Sequence, residues 1–399
     1  MYLPPTISQN IARIISDIDS RLTGAESAVK NRILNAIAYA LGGGISGEYE
    51  ELEWLANQII PHLSDDDFLL RWCAFFGVIR KGAAAADGQI TVTVAQAVTV
   101  PAATLFRRSD GVIYSTTEAV AAAAGGSILI PAQAATTGSA TNCPAGTPLT
   151  IVNPVDYVQP SAVVSASAMT GGADVETIAQ LRQRLLFRVQ YPPQGGTKWD
   201  YERWAREVPG VAKAWCYPAE ATAGGPGNVE VTFLLDGAGD ERFPVDSDVE
   251  RVDSYIRYHE DPLTNQPVGK PLGPLLTTYA TIKKTIDFVI QLSPNTADEQ
   301  KAVQQQIQLL FADEAAPDSF IYLSHINEAI SATPGETDHV LISPTANILT
   351  AKNEIAEPGT FTWKKTSQTA SRATWRFTQG HCSICCRPVW RGTKSRAAL

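Results

Sequence analysis

The side chains able to do chemistry in this chain of 399 residues are few and scattered. His259-Glu260-Asp261 is a compact group of the kind that binds metal or moves protons. It stands at a predicted helix end beside a proline, with no second histidine near, and reads as a dipole-favoured histidine next to solvated acids. Gly195-Gly196-Thr197-Lys198 opens a helix and offers free N–H groups to a phosphate. No strand precedes it and no Gly-Lys-Ser/Thr series follows, which leaves a turn and a cap. Ser324-His325 has no acid or Gly-x-Ser-x-Gly frame around it. Asp174, Glu176, Asp200 and Glu202 share one span, and a polysaccharide or cell-wall hydrolase would need two carboxyls facing each other across a cleft. Asp174 and Asp200 both stand where helix caps are required. His381, Cys382, Cys385 and Cys386 resemble half of a zinc site, since the adjacent Cys385 and Cys386 rarely both reach one ion. No metal, cofactor or catalytic residue is therefore expected. Cys73, Cys143 and Cys216 read as buried thiols of a reducing compartment.

The elements that position these groups are clearest between Met169 and Leu235. After Gly171-Gly172, Asp174 is expected to cap a helix with Val175, Ile178, Leu181 and Leu185 on its apolar face and Arg182, Arg184 and Arg188 on its wetter side. Tyr191-Pro192-Pro193 ends it. Gly195-Gly196 frees the backbone, and Thr197 with Asp200 forms a capping box for a second helix carrying Tyr201, Trp204 and Val208. Pro209-Gly210 turns the chain into a strand with Val211, Lys213, Trp215 and Tyr217 at period two. A second strand beyond the Gly224-Gly225-Pro226-Gly227 loop puts Val229, Val231, Phe233 and Leu235 on one face. Trp199, Tyr201, Trp204, Trp215 and Tyr217 lack the basic surround that base stacking needs, so a core or subunit interface is expected.

The flanks complete a multidomain α+β chain. Residues 1–82 read as a helical bundle: a first helix with the stripe Ile7, Ile11, Ile14, Ile18 and Leu22, a second closed by Gly42-Gly43-Gly44, a third to Ile60 and a fourth after Ser64. Short alternating runs separated by Pro and Gly make residues 83–165 a small β-rich domain. Residues 166–268 hold the helix-helix-strand-strand unit and a further helix from Val245 to Tyr258. Residues 269–363 read as a C-terminal α+β layer, opening with an alternating strand from Ile282 to Leu292 and covered by two helices on one sheet face. Residues 364–399 carry no acid and no apolar period and read as a basic, disordered tail.

Gly171-Gly172-x-Asp174-x-Glu176-Thr177, Leu181-Arg182-x-Arg184, Pro192-Pro193-x-Gly195-Gly196, Asp200-Tyr201-x-x-Trp204-Ala205, Val208-Pro209-Gly210-Val211 and Gly225-Pro226-Gly227-x-Val229 occur in this order. Together they resemble the phage baseplate protein J family, which includes the wedge proteins of Mu-like contractile tails. The resemblance implies a structural part of a virion tail baseplate, assembled in the host cytoplasm. Its partners would be other copies of itself, a smaller wedge protein and neighbouring hub proteins in a six-fold ring, with reorientation of the wedges releasing the sheath. The Ile7 to Leu22 stripe reads by itself as internal core or as a seam between subunits, with core the default, and the resemblance shifts that reading toward a seam. Composition agrees. Only 18% of residues are charged and the formal net charge is -9, which suits packing against other subunits and gives no reason to expect nucleic acid as a partner. Neither a secretory leader nor a membrane-inserted segment is expected: MYLPPTISQN has no basic region ahead of an apolar core, and Ala119 to Ala124 is cut short by Gly125-Gly126.

Overall fold

A computed structural model describes residues 4–21, 32–219, 227–237 and 239–364. Leu22, Gly225 and the whole His381, Cys382, Cys385 and Cys386 cluster lie outside the described residues, as does nearly all of the basic tail.

The N-terminal region holds helices α1 (Ile7–Arg21), α2 (Arg32–Gln58) and α3 (Asp66–Phe76). Gly42-Gly43-Gly44 does not end a helix, contrary to the expectation from composition: α2 runs straight through it. The reason is packing. A Cβ on Gly42 would sit 2.5 Å from Ile11 Cγ1, so the missing side chain lets α1 lie close against α2. Asn10 of α1 also donates to Ser46 Oγ at 3.1 Å. Tertiary contact thereby outweighs the roughly 1 kcal/mol per residue that glycine costs a helix. Asp65 caps α3 by accepting the Phe68 N–H, and Gly77 closes it with φ 69°.

Strands β1 (Asp87–Val94), β2 (Val98–Val100), β3 (Leu105–Arg108), β4 (Ile113–Thr116), β5 (Val120–Ala122), β6 (Gly126–Ala134), β7 (Pro148–Ile151) and β8 (Val158–Thr170) follow. Six of them close into a barrel in the order β1-β6-β4-β3-β7-β8, while β2 and β5 form a separate ribbon. Register shifts in the β1–β8 pairing give β1 the curvature that closure requires. Ile90, Phe106, Tyr114, Ile130 and Leu149 fill the interior. Because β8 runs to Thr170, it crosses the expected boundary at residue 165, and the residues up to Met169 are barrel wall.

Next come α4 (Ile178–Gln190), α5 (Lys198–Glu207), β9 (Val211–Pro218), β10 (Val229–Leu235), α6 (Asp246–Arg257), the short pair β11 (His259–Glu260) and β12 (Pro267–Val268), and β13 (Leu276–Ala280). The two leading helices do not share one core. Leu181 and Leu185 of α4 pack on Leu69 and Cys73 of α3, whereas Tyr201, Trp204 and Ala205 of α5 join Val231, Phe233, Val252 and Ile256. β13 pairs in parallel with β10, so it belongs to the central sheet although it lies beyond residue 268. As the middle strand, β10 buries both faces: Val231 and Phe233 meet the helices, and Glu230, Thr232 and Leu234 are buried behind them.

The last unit is β14 (Ile282–Ser293), α7 (Ala297–Glu314), β15 (Phe320–Ile321), α8 (Leu323–Ser331), β16 (Asp338–Ser343), β17 (Ile348–Leu349) and β18 (Glu354–Lys364). β14 lies between β16 and β18. Its Phe288, Ile290 and Leu292 meet Val303, Ile307 and Phe311 of α7 and Ile326 and Ile330 of α8. Tyr217 donates to the Pro317 carbonyl at 2.7 Å, which ties β9 to this unit. No helix among the described residues is long and apolar enough to cross a membrane.

Candidate functional site

Of the candidate residues, Glu176, Asp200 and His259 stand around the junction of the segment after α3, the N-terminal turns of α4 and α5, and the end of α6, whereas Asp174, Glu202 and His325 are engaged elsewhere. Glu176, 3% exposed, is the centre of the first contact set. Its carboxylate accepts the Lys81 N–H at 2.9 Å and Arg184 Nη1 at 2.8 and 2.9 Å, while its backbone carbonyl accepts Arg80 Nε at 2.8 Å. Lys81 Nζ in turn donates to the carbonyls of Arg206, Val208 and Val211, reaching the Pro209-Gly210 turn. Burial lowers the Lys81 pKa to about 8. Neither Lys81 nor Glu176 carries a local sequence signal for these roles, because their partners are remote in sequence.

Asp200 dominates the second set. It is 1% exposed and accepts N–H bonds from Gly196 at 2.8 Å, Thr197 at 3.0 Å and Gln194 at 3.2 Å. Burial acts to raise its pKa, but these N–H groups and Arg203 together outweigh that and hold it below the usual carboxylate value. The amides at the start of α5 that a phosphate would use are already filled by the chain's own carboxylate. Gly196 has φ 125°, and a Cβ there would lie 2.5 Å from Pro271 Cγ, whereas Gly195, φ 79°, faces open space.

Asp174 is not a helix cap. Thr177 caps α4, and Asp174 accepts from Ser139 N at 3.1 Å and Ser139 Oγ at 2.6 Å, fastening the barrel loop. These bonds lower its pKa. Beside it, Asn142 exchanges two 2.8 Å bonds with Gly172, whose missing Cβ makes room for Thr141. Gly171, with φ 84°, needs glycine's freedom as well. The arginines of α4 are not on a wet side either: Arg182 donates to the Pro61 carbonyl at 3.0 Å, Arg184 is bound to Glu176, and Arg188 is half-buried. They face other elements because α4 is clasped between α3 and the central unit.

His259 is buried, beside an exposed Glu260 and a half-exposed Asp261. It stacks on Tyr255 at 4.0 Å, its Nδ1 donates to the Tyr255 carbonyl at 2.8 Å, and its Nε2 lies 3.8 Å from Glu207 Oε2. Asp261 folds back on Leu263 N and Thr264 Oγ1. Glu202 accepts the Cys216 N–H at 3.3 Å, and burial raises its pKa against the pull of Arg206. His325 pairs with Glu314 at 2.8 Å and joins α8 to α7. Tyr201 and Trp204 are core, in edge-to-face contact at 5.3 Å. No group of three or more His, Cys, Asp or Glu among the described residues could hold a metal ion. Between these contact sets lies a cavity of about 420 Å³, lined by basic side chains from α4 and α5 and by apolar ones including Phe187, Trp204 and Leu263.

Comparison with known proteins gives three family matches in chain order: the Baseplate J-like protein barrel domain over residues 89–172, the Baseplate J-like central domain over 193–276 and the Baseplate J-like protein C-terminal domain over 285–364. Baseplate protein gp47 of Escherichia phage Mu is 41% identical over 362 residues, covering 91% of this chain and 99% of the relative. The chain belongs to the baseplate J-like family. The Mu-like prophage FluMu protein gp47 of Haemophilus influenzae is 39% identical over 332 residues, covering 83% of this chain and 90% of the relative. A chain in the cryo-EM structure of the anti-feeding prophage baseplate aligns over 87% of this chain and 90% of its own, at 13% identity and a TM-score of 0.39. The family's barrel match ends at Gly172 and its central match begins at Pro193, so Asp174, Glu176 and α4 fall between the two.

Proposed function

We propose that this baseplate J-like chain is a structural component of a contractile-tail baseplate wedge, without catalytic activity. It joins other copies of itself, a smaller wedge protein and neighbouring hub proteins around a six-fold axis in the virion tail, after assembly in the host cytoplasm. Rigid-body reorientation of its units at those interfaces takes part in the switch that allows the sheath to contract. The observation that carries this reading is the state of the carboxylates in the best-marked stretch. Asp174 holds Ser139 of the barrel, Glu176 holds Lys81 and Arg184, and Asp200 holds the three backbone amides of the turn that opens α5, so each is taken up by a structural contact. A polysaccharide hydrolase would instead need two of them free across a cleft. The prophage and phage relatives named as gp47 support the same assignment.

The helical hairpin supplies the surface for assembly. On α2, Ile33 is 72% exposed and Ile37, Leu41, Leu52 and Leu55 are exposed as well, a larger apolar face than one small monomer region leaves open. Ile11 of the expected seam packs toward Gly42, and Ile14 and Ile18 are half-buried, while Ile7 stays exposed. The seam therefore consists of the open side of α2 together with the rim of the α1 stripe. Sizing the chain alone and after co-expression with the smaller wedge protein tests the reading. A stable complex larger than either component is expected. Two proteins that elute apart, combined with saturable hydrolysis of a cell-wall polysaccharide, would replace it with the enzyme.

A further inference from the structure

We propose that the cavity between α4, α5 and the end of α6 binds one oxyanion group, through Arg188 and the neighbouring guanidinium of Arg203. The inference is independent of the baseplate role. Arg80, Lys81, Arg184, Arg188, Arg203 and Arg206 all line this cavity, against the acids Glu207 and Asp261. Most of these cations are already engaged. Arg184 is bound to Glu176, Arg206 lies 3.6 Å from Glu202, Lys81 is held by backbone carbonyls, and Arg80 by the Glu176 carbonyl. Arg188 differs: among the described residues it has no hydrogen bond and no ion pair, although it is half-buried.

Arg203 is incompletely used in the same place. Its Nη1 lies 3.2 Å from Asp200 Oδ1 and its Nε 3.5 Å from Glu207 Oε1; the Nη1 contact is an ion pair without hydrogen-bond geometry, so that buried atom still lacks a hydrogen-bond acceptor. A guanidinium remains charged at any ordinary pH, so neither group can escape the cost of burial by losing its proton. Burial first, and then the nearness of Arg203, disfavour the charge on Arg188. An incoming oxyanion would relieve this burial by accepting paired N–H bonds. The apolar wall of Phe187 and Trp204 would strengthen those bonds by limiting water. Glu207 and Asp261 oppose an anion, but Asp261 is turned toward Leu263 and Thr264, and Glu207 is shared among Arg203, Tyr255 and His259. The amides at the start of α5 are closed to it by Asp200.

The cavity is large enough for either a free phosphate-class ion or a carboxylate presented on a side chain of another polypeptide. Calorimetric titration of the full chain at constant ionic strength, with chloride as the reference, separates the two. Inorganic phosphate probes the free ion and N-acetyl-glutamate amide the side chain. Saturable binding of at least one probe is expected, weakened about tenfold or more in Arg188→Gln, a loss of roughly 1.4 kcal/mol. Arg107→Gln, an exposed barrel position, should bind as the parent does. Phosphate binding assigns the free ion; binding of the amide alone assigns the side chain. Saturation by neither probe in the tens of millimolar, or equal affinity in Arg188→Gln, overturns the site. Should Arg188→Gln fail to fold, Arg188→Lys keeps the charge without the fork, and undiminished affinity in that variant also overturns it.

Discussion

Asp200 and Gly196 fix the same turn by different physics, and substitution separates them. Asp200→Asn keeps an acceptor oxygen but loses the charge that draws in three amides and Arg203, at a cost of about 1–2 kcal/mol. Because folding lowers the Asp200 pKa, its contribution is present above the ordinary value of 3.8 and is lost as pH falls through the lowered one. Urea denaturation as a function of pH should therefore show a smaller acid-side loss in Asp200→Asn than in the parent. Particles assembled with this variant should still contract; intact but inert particles would mean that the carboxylate does chemistry. Gly196→Ala forces a side chain into φ 125° against Pro271, with strain on the order of 1–3 kcal/mol. Gly195→Asn, in open space at φ 79°, should cost about 1 kcal/mol or less, since asparagine enters the left-handed region readily.

The α1–α2 hairpin makes opposite demands on two glycines of one run. Gly42→Leu should separate α1 from α2, whereas a Cβ at Gly44 meets nothing within 4 Å. Gly44→Ala should thus raise stability by about 0.5–1 kcal/mol through helix propensity alone. Melting curves of the two variants would show both effects. The same hairpin separates seam from core. Ile37→Asp with Leu41→Asp alters exposed positions and should abolish the complex with the smaller wedge protein while leaving the isolated chain's melting unchanged. Ile11→Asp sets a charge against Gly42 and should loosen the hairpin itself. An unchanged complex in the exposed pair would place the seam elsewhere.

Across the whole chain, Lys81 links the segment after α3 to the turn between α5 and β9, and its titration should be visible in global stability. Its folded pKa of about 8 lies below the ordinary 10.5, so the unfolded chain holds this proton more tightly. The fold is therefore disfavoured by this group below about pH 8 and gains stability as pH rises from there toward 10.5. Lys81→Met should flatten that part of the stability–pH curve; an unaltered slope would show that Lys81 titrates normally. Ending the chain after Lys365 should leave melting unchanged and abolish no zinc binding. Ending it after Thr360 removes Phe361 and Trp363 from β18, which stack at 6.0 Å beside Phe288, and should destabilise the C-terminal unit.

What the sequence determined alone were features decided within a few residues of one another. Thr197 and Asp200 form their reciprocal contact across one helical turn, Tyr191-Pro192-Pro193 stops α4, and the alternation from Ile282 to Leu292 marks a strand packed on one face. The ordered motifs also revealed the family. Tertiary structure decided whatever depended on a distant partner. Gly42-Gly43-Gly44 reads as a helix stop until Ile11 is brought against it, and β10 reads as a strand with one apolar face until β13 pairs with it and Lys352 of the C-terminal unit reaches Glu230 on its other face. Asp174 has the type and place of a cap, yet Ser139 of the barrel claims it, and the junction of Glu176, Lys81 and Arg184 has no periodic trace at all. Periodicity reports which side of an element avoids water, but the identity of the atom waiting on that side depends on how the chain returns to it.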